Sequence, residues 1–130
     1  MRFNFFIIYI LTLIVFLLMD SLWLGKISPK LYKHYLKDML AEKPNLAAAG
    51  IFYLVFIGGL LFFVIYPNQH QSWHKYLISS AVFGLVTYAT FDLTSQAILK
   101  KWSSIITIID MLWGVIITSL STLVVMGLFR

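Results

Sequence analysis

The chain has no cysteine and few charged residues. With no cysteine among 130 residues, disulfide bonds and thiolate metal sites are excluded. Charged residues make up 12%, against about 25% in soluble domains. Hydrophobic residues make up 61%, and the mean hydropathy is +0.90. These values exclude a soluble globule and predict a polytopic membrane protein. No nucleic-acid binding is expected, because the lysines flank apolar segments and do not form a soluble basic face.

Four apolar segments are each long enough to cross about 30 Å of hydrocarbon, which takes about 20 helical residues. They span residues 3–24, 46–66, 73–99 and 105–129. Backbone polar groups in lipid must bond within their own segment, so the spans are predicted to be helices. The connections are short, except for the first. The expected fold is therefore all-α, a four-helix membrane bundle that forms one transmembrane domain over residues 1–130.

The first connection, residues 25–45, carries a helical pattern of its own. Ser28 followed by Pro29 is a typical helix start, with a hydroxyl N-cap and a proline in the first turn. Apolar residues then recur at helical spacing, and the basic residues fall on the other side. This pattern predicts a short amphipathic helix in the membrane interface, ending near Pro44. A solvated loop with accidental periodicity is the alternative.

Basic residues predict the orientation in the membrane. We call the side with the first and third connections face B and the opposite side, with both termini and the second connection, face A. Face A carries Arg2, Lys75 and Arg130, while face B carries seven lysines: Lys26, Lys30, Lys33, Lys37, Lys43, Lys100 and Lys101. The positive-inside rule places face B in the cytoplasm and both termini outside.

Three of the five acidic residues lie inside the predicted spans: Asp20, Asp92 and Asp110. A carboxylate in lipid costs roughly 2.5–3.5 kcal/mol on insertion scales, so such residues usually face protein or a water-filled cavity. Because successive spans alternate in direction, all three aspartates fall near face B, each about 9–12 Å inside it. We refer to them as the aspartate cluster and predict that they converge within the bundle.

Residues beside the aspartates extend this predicted pocket. Tyr88 shares a helix face with Asp92, and Thr94 broadens that polar stripe. The pattern Asp-x-Leu-Trp occurs twice, so that Trp23 follows Asp20 and Trp113 follows Asp110 at a spacing of three. An indole N–H can donate to a carboxylate within its own motif or across the pair. The candidate ligand-binding or ion-binding residues are Asp20, Trp23, Tyr88, Asp92, Thr94, Asp110 and Trp113.

A cluster of three buried carboxyls is expected to hold a proton or a cation. The alternative is that the aspartates only cross-link helices through hydrogen bonds. No metal site or cofactor is predicted, because His70 and His74, although four residues apart, lie in the second connection without a nearby acid. No histidine lies beside a serine within the spans, so catalytic residues are not assigned.

The quoted motifs resemble those of a known family. Asp20-x-x-Trp23-Leu24-Gly25, the segment from Ala47 to Tyr53, Phe91-Asp92-Leu93-Thr94 followed by Lys100 and Trp102, and Asp110-x-x-Trp113-Gly114 are similar to small bacterial membrane proteins catalogued as domain of unknown function 2177. The resemblance covers nearly the whole chain and implies a four-span protein of the bacterial inner membrane. It implies no activity. Phe91 and Ser95 stand where tyrosine and asparagine are expected.

Three functions remain open from the sequence. The first is binding or transport of a proton, a cation or a cationic solute at the acidic pocket. The second is a lipid-modifying membrane enzyme, in which Asp92 and Asp110 serve as general acid and base or hold a divalent metal. The third is a non-catalytic accessory subunit. The expected partners are membrane lipids and a second copy, in a homodimer packed through small residues.

Overall fold

The computed structural model describes residues 4–37, 39–40, 43 and 45–129 of the chain. Arg2 and Arg130, which contribute to the predicted orientation, lie outside the described residues, as does Pro44. The first predicted span also begins outside them. The side chain of Ser28 is not described either.

The described residues are almost entirely helical and contain no strand. The α-helices are α1 (Phe5–Leu22), α2 (Ser28–Leu36), α3 (Leu46–Leu60), α4 (Trp73–Ile98) and α5 (Ser104–Phe129). A π-helical turn follows α1 at Trp23–Ile27, and another follows α3 at Leu61–Ile65. Four segments are long and apolar enough to cross a membrane: Phe5–Ile27, Leu46–Ile65, Trp73–Ile98 and Ser104–Phe129. The predicted all-α, four-span architecture with a short helix after the first span is confirmed.

Asparagine side chains begin two of the spans. Asn4 accepts a hydrogen bond of 2.9 Å from the amide of Ile7 at the start of α1. Asn45 accepts one of 3.0 Å from the amide of Ala48 at the start of α3. Each bond satisfies an amide that the helix itself leaves without an acceptor. The two helices therefore begin at defined residues.

Helix α2 continues directly from α1 and does not begin at a separate cap. The N-cap position is Ile27, not Ser28 as the sequence pattern predicts, and Pro29 lies in the first turn. Proline has no amide hydrogen for the carbonyl of Gly25, four residues earlier, and this accounts for a widened π-helical turn just before it. Leu36 on the apolar face of α2 is buried, while the basic side chains Lys30, Lys33, His34 and Lys37 are exposed.

The most extensive helix contact joins α4 and α5, which form an antiparallel hairpin. Helix α1 packs on α5 and on α3, and the core between them is apolar, with Phe16 and Phe56 rings 4.9 Å apart. Glycines permit the close approach within the hairpin. A Cβ atom at Gly114 would lie 2.2 Å from Cγ of Tyr88, and one at Gly84 would lie 2.7 Å from Oγ1 of Thr118.

The hairpin keeps a constant register over several turns. Three facing pairs define it: Asp92 with Asp110, Tyr88 with Gly114, and Gly84 with Thr118. Each pair steps back four residues along α4 and forward four along α5, so the same helix faces stay in contact. The next step brings Ser80 to the level of Thr122, and both side chains are fully buried. This register fixes which polar residues of the two helices meet.

Candidate functional site

Asp20 lies at the end of α1 and is bonded by two other helices. The Tyr53 hydroxyl of α3 donates to Oδ2, and the Trp113 indole of α5 donates to Oδ1 at 3.1 Å. The side chain is 6% exposed. With one donor on each oxygen, this carboxyl is satisfied by protein groups, as a buried polar group must be. Asp20 therefore joins three spans at one depth.

The two Asp-x-Leu-Trp motifs meet each other in space. Trp113 of the second motif donates to Asp20 of the first, so the hydrogen bond runs across the pair and not within a motif. The indole rings of Trp23 and Trp113 stack with centroids 4.7 Å apart and planes 10° apart. This stack fixes the rotation of α5 relative to the end of α1, because a turned helix would separate the rings.

Asp110 of α5 is bonded from outside the four spans. The Tyr32 hydroxyl, on α2, donates to Oδ1 of Asp110 at 2.7 Å. Burial, and then the charge of Asp110, raise the pKa of Tyr32 above its ordinary value of 10.0. Tyr32 therefore stays a neutral donor and covers the aspartate cluster on the side of face B.

Asp92 of α4 is the most deeply buried of the three, with 0% exposure. Neither of its oxygens receives a hydrogen bond from any group in the described residues. Its carboxyl nevertheless lies within hydrogen-bonding reach of the Asp110 carboxyl. Two ionised carboxylates are both acceptors and cannot bond each other, whereas one proton between them makes a hydrogen bond. The geometry is thus that of a carboxyl pair with room for one proton.

The remaining predicted pocket residues divide between the cluster and the lipid-facing surface. Tyr88 is half-buried, and its hydroxyl lies close enough to Asp20 and Asp110 for the charges of both carboxyls to act on it. Thr94 is exposed, and its hydroxyl donates to the Thr90 carbonyl of its own helix, so it lies outside the cluster. Two residues of the site, Tyr32 and Tyr53, are absent from the predicted set. The sequence signal for them is their position. Each is a tyrosine on a neighbouring segment, at about the same distance from face B as the aspartates.

The chemistry of the site is set by the groups around the three aspartates. No three His, Asp or Glu side chains in the described part of the chain come together as metal ligands. The neighbours of the cluster are neutral donors: two tyrosines and a tryptophan. Neutral donors stabilise a carboxylate without neutralising it. The arrangement can therefore hold two partnered carboxyls and let the pair of Asp92 and Asp110 gain or lose one proton.

A comparison with known families fits this architecture. A family model described as a predicted membrane protein (DUF2177) matches residues 5–127. No curated protein and no solved structure matches the chain significantly. The matched region contains all four spans, the short helix α2 and the three aspartates. The chain therefore belongs to the predicted membrane protein family of domain of unknown function 2177.

Proposed function

We propose that this protein binds a proton inside the membrane, at the carboxyl pair of Asp92 and Asp110, and exchanges it with the aqueous phase at face B. One observation carries the proposal: Asp92 is fully buried, neither of its oxygens has a donor in the described residues, and it lies against a second carboxyl. A buried carboxyl without a partner costs several kcal/mol in lipid, by the general estimate for unsatisfied polar groups. A shared proton removes much of that cost.

A purely structural role suits Asp20 better than it suits Asp92. Asp20 receives donors on both oxygens and links three helices, which is what a packing role requires. Asp92 makes no such link, so a packing role gives no reason for a carboxyl at this position. The contrast between two aspartates at similar depth supports proton binding over an accessory subunit held together by its aspartates. A cationic solute that displaces the proton is the natural extension of the same chemistry.

Face B is the proposed side of proton exchange. Tyr32 donates to Asp110 from α2, and the exposed lysines of α2 suit contact with lipid phosphates. We place face B in the cytoplasm on the lysine distribution and both termini outside, and we assign the protein to the bacterial inner membrane on its family resemblance. The proton then comes from the cytoplasmic side.

The proposed assembly is a homodimer surrounded by lipid. Ala47, Ala48 and Gly50 are exposed on α3, and a Cβ atom at Gly50 would meet nothing within 4 Å. Small exposed residues on a membrane helix allow a second helix to approach closely. Single-molecule photobleaching in lipid tests this arrangement: Gly50→Leu should shift the count from two copies to one, and two copies in the variant would contradict it.

The proposed proton is tested by infrared spectroscopy of the purified protein in lipid. A protonated carboxylic acid has a carbonyl band that a carboxylate lacks. The wild-type protein should show this band at neutral pH, and Asp92→Asn should remove it. The pH dependence of the unfolding midpoint in the acidic and neutral range should also diminish in Asp92→Asn, because one proton-binding group is lost.

Asp38→Asn, in the first connection by sequence, is the control for loss of an acid outside the spans, and it should keep the band. Asp20→Asn is the control inside the membrane, and the band should persist there as well. A wild-type protein without the band at neutral pH would overturn the proposal. So would a folded Asp92→Asn variant in which the band and the pH dependence are unchanged.

A further inference from the structure

Helix α2 lies across the face-B end of the bundle. From Asp20 to Tyr32 a straight helix would rise about 18 Å, at 1.5 Å per residue, which is more than a tyrosine side chain can bridge. The Tyr32 hydroxyl nevertheless donates to Asp110, which is one helical turn from the residue that bonds Asp20. The chain therefore turns after α1, at the π-helical turn Trp23–Ile27, and α2 covers the aspartate cluster.

The inner face of α2 is apolar apart from its tyrosines. Leu36 is 5% exposed, while Leu31, Tyr32 and Tyr35 are half-buried. Helix α2 packs on α5, where Tyr32 bonds Asp110. Lifting α2 away from the bundle would break this bond and would uncover Leu36. The inner face therefore favours a closed position of α2 over the cluster.

The outer face of α2 carries a row of lysines. Four lysines follow one another at steps of four, three and four residues, the spacing that keeps side chains on one face of a helix. All four are exposed, and we call them the lysine stripe: Lys26, Lys30, Lys33 and Lys37. The carboxyls in the described part of the chain are buried within the bundle. Residues 25–45 contain five lysines and two acidic residues, so this connection has a net positive charge.

Exposed apolar side chains flank the lysine stripe, and they favour a lipid over a soluble anion. Leu24, Ile27 and Leu40 are each at least 43% exposed. Acyl chains would cover these side chains while the phosphate meets the lysines, whereas a soluble anion would leave them in water. Basic and apolar exposed residues together are what an amphipathic helix presents to a membrane interface.

We propose that the lysine stripe binds the head groups of anionic phospholipids and that this contact holds α2 closed over the aspartate cluster. The inference rests on the proposed proton site and adds its regulation by the lipids of the face-B leaflet. Each lysine near an anionic surface strengthens binding by about a factor of five. A ligand shifts a lid only through different affinities for the closed and open positions. In the closed position the lysines lie at the level of the head groups, and a lifted α2 would withdraw them.

Lipid binding is measured by native mass spectrometry of the purified protein in detergent, with phosphatidylglycerol or phosphatidylcholine added. The protein should retain phosphatidylglycerol in preference. The double variant Lys30→Gln/Lys33→Gln should bind it about 25-fold more weakly, because two lysines are lost. Lys75→Gln/Lys100→Gln is the matched control, since it removes two exposed lysines outside the stripe, and it should weaken binding far less. Equal weakening in the two double variants would overturn the assignment to the stripe.

The closing of α2 is measured by amide hydrogen exchange in liposomes, relative to the amides of the third connection at the same face. The α2 amides should exchange about tenfold more slowly in phosphatidylglycerol than in phosphatidylcholine. Lys30→Gln/Lys33→Gln should remove this difference. Glycerol phosphate, a head group without acyl chains, should not slow exchange in phosphatidylcholine liposomes. Equal protection by glycerol phosphate would overturn the assignment to a lipid.

The infrared band of the protonated carboxyl links α2 to the proton site. In heavy water this band shifts as deuterium replaces the proton, and the rate of the shift reports exchange at the pair. The shift should be about tenfold slower in phosphatidylglycerol than in phosphatidylcholine. Tyr32→Phe should lose this dependence on lipid, because its hydrogen bond to Asp110 is gone. Tyr35→Phe, on the same helix, should keep it.

The outcomes separate the lid from the proton site. Exchange of the α2 amides at the same rate in both lipids would overturn the lid, whatever the infrared band shows. Protection of α2 together with an infrared shift of equal rate in both lipids would overturn the regulation of proton exchange. Absence of the band would overturn the proton site and its regulation, whereas lipid binding and the closing of α2 would stand.

Discussion

The Tyr32 hydroxyl donates a hydrogen bond of 2.7 Å to Oδ1 of Asp110, across 78 positions of the chain. Tyr32 belongs to the short helix α2, and Asp110 belongs to the last span. The bond connects a segment that carries exposed lysines to a buried carboxyl of the last span. It also closes the aspartate cluster towards face B, so any exchange at the cluster involves movement of Tyr32 or passage beside it.

Removal of the Tyr32 hydroxyl should destabilise the protein and change its response to alkaline pH. Tyr32→Phe should lower the free energy of unfolding by about 1.5 kcal/mol near pH 7, the usual worth of a hydrogen bond to a charged group. Because the folded state raises the pKa of Tyr32, the unfolded chain loses this proton first as the pH passes about 10. The advantage of the wild-type protein over Tyr32→Phe should therefore shrink above pH 10.

Thermal unfolding in detergent at several pH values between 7 and 11 measures this difference. Tyr35→Phe is the control on the same helix, since the Tyr35 ring contacts His34 and no hydrogen bond within the described residues joins it to the aspartate cluster. A constant difference between wild-type and Tyr32→Phe protein across the whole range would contradict the assignment of the raised pKa to Tyr32.

The Trp113–Asp20 bond should be stronger than an indole bond to a neutral hydroxyl. Trp113→Phe keeps an aromatic ring against Trp23 but removes the donor to Asp20. We expect a loss of about 2 kcal/mol in the free energy of unfolding. Trp102→Phe is the matched control, because its indole donates to the hydroxyl of Thr107 at 2.9 Å, and it should cost about 1 kcal/mol.

Titration with a denaturing detergent provides the measurement. In an Asp20→Ala background, Trp113→Phe should cost much less than in the wild-type background, because the acceptor is already gone. Equal costs in the two backgrounds would show that the indole N–H contributes little and that ring packing dominates.

The close contact within the hairpin should not tolerate a methyl group. Gly114→Ala places a Cβ atom 2.2 Å from Cγ of Tyr88, so the hairpin has to open and stability should fall by at least about 2 kcal/mol. Gly127→Ala lies on the same helix with nothing within 4 Å, and it should be neutral or stabilising by up to about 1 kcal/mol.

The same unfolding assay compares the two glycine variants. Because Tyr88 neighbours the aspartate cluster, Gly114→Ala should also weaken the infrared band of the protonated pair. A Gly114→Ala variant as stable as Gly127→Ala would mean that α4 and α5 are not packed as closely as the structure has them.

The four spans were predictable because lipid demands long uninterrupted apolar helices, and run length alone reveals them. The start of α2 was less predictable. Ser28 followed by Pro29 has the chemistry of a new helix, yet α1 runs on through a π-helical turn. A sequence pattern shows that a proline interrupts the hydrogen bonds of a helix. It does not show whether the helix ends there or continues through a π-helical turn.

The depth of the aspartates followed from counting residues, whereas their partners depended on helix rotation. Thr94 lies two residues after Asp92, and a step of two in a helix turns a side chain to nearly the opposite face, so polarity alone does not bring Thr94 to Asp92. Tyr53, the donor to Asp20, lies at the same distance from face B as the aspartates. It is seven residues after Leu46 at the start of α3, and Asp92 is seven residues before Leu99. Equal depth from face B is therefore the sequence signal for Tyr53, and polar stripes within single helices do not reveal it.

The register of the α4–α5 hairpin has a consequence for how the protein enters the membrane. Helix α4 has the lowest hydropathy of the four spans, 1.4 against 2.0 to 2.5 for the others, and it carries the aspartate without a donor. Because its partner carboxyl is on the next span, after a short connection, we expect the two helices to insert as one unit at the translocon. Insertion of α5 would thereby assist insertion of α4, the least hydrophobic span, into the bilayer.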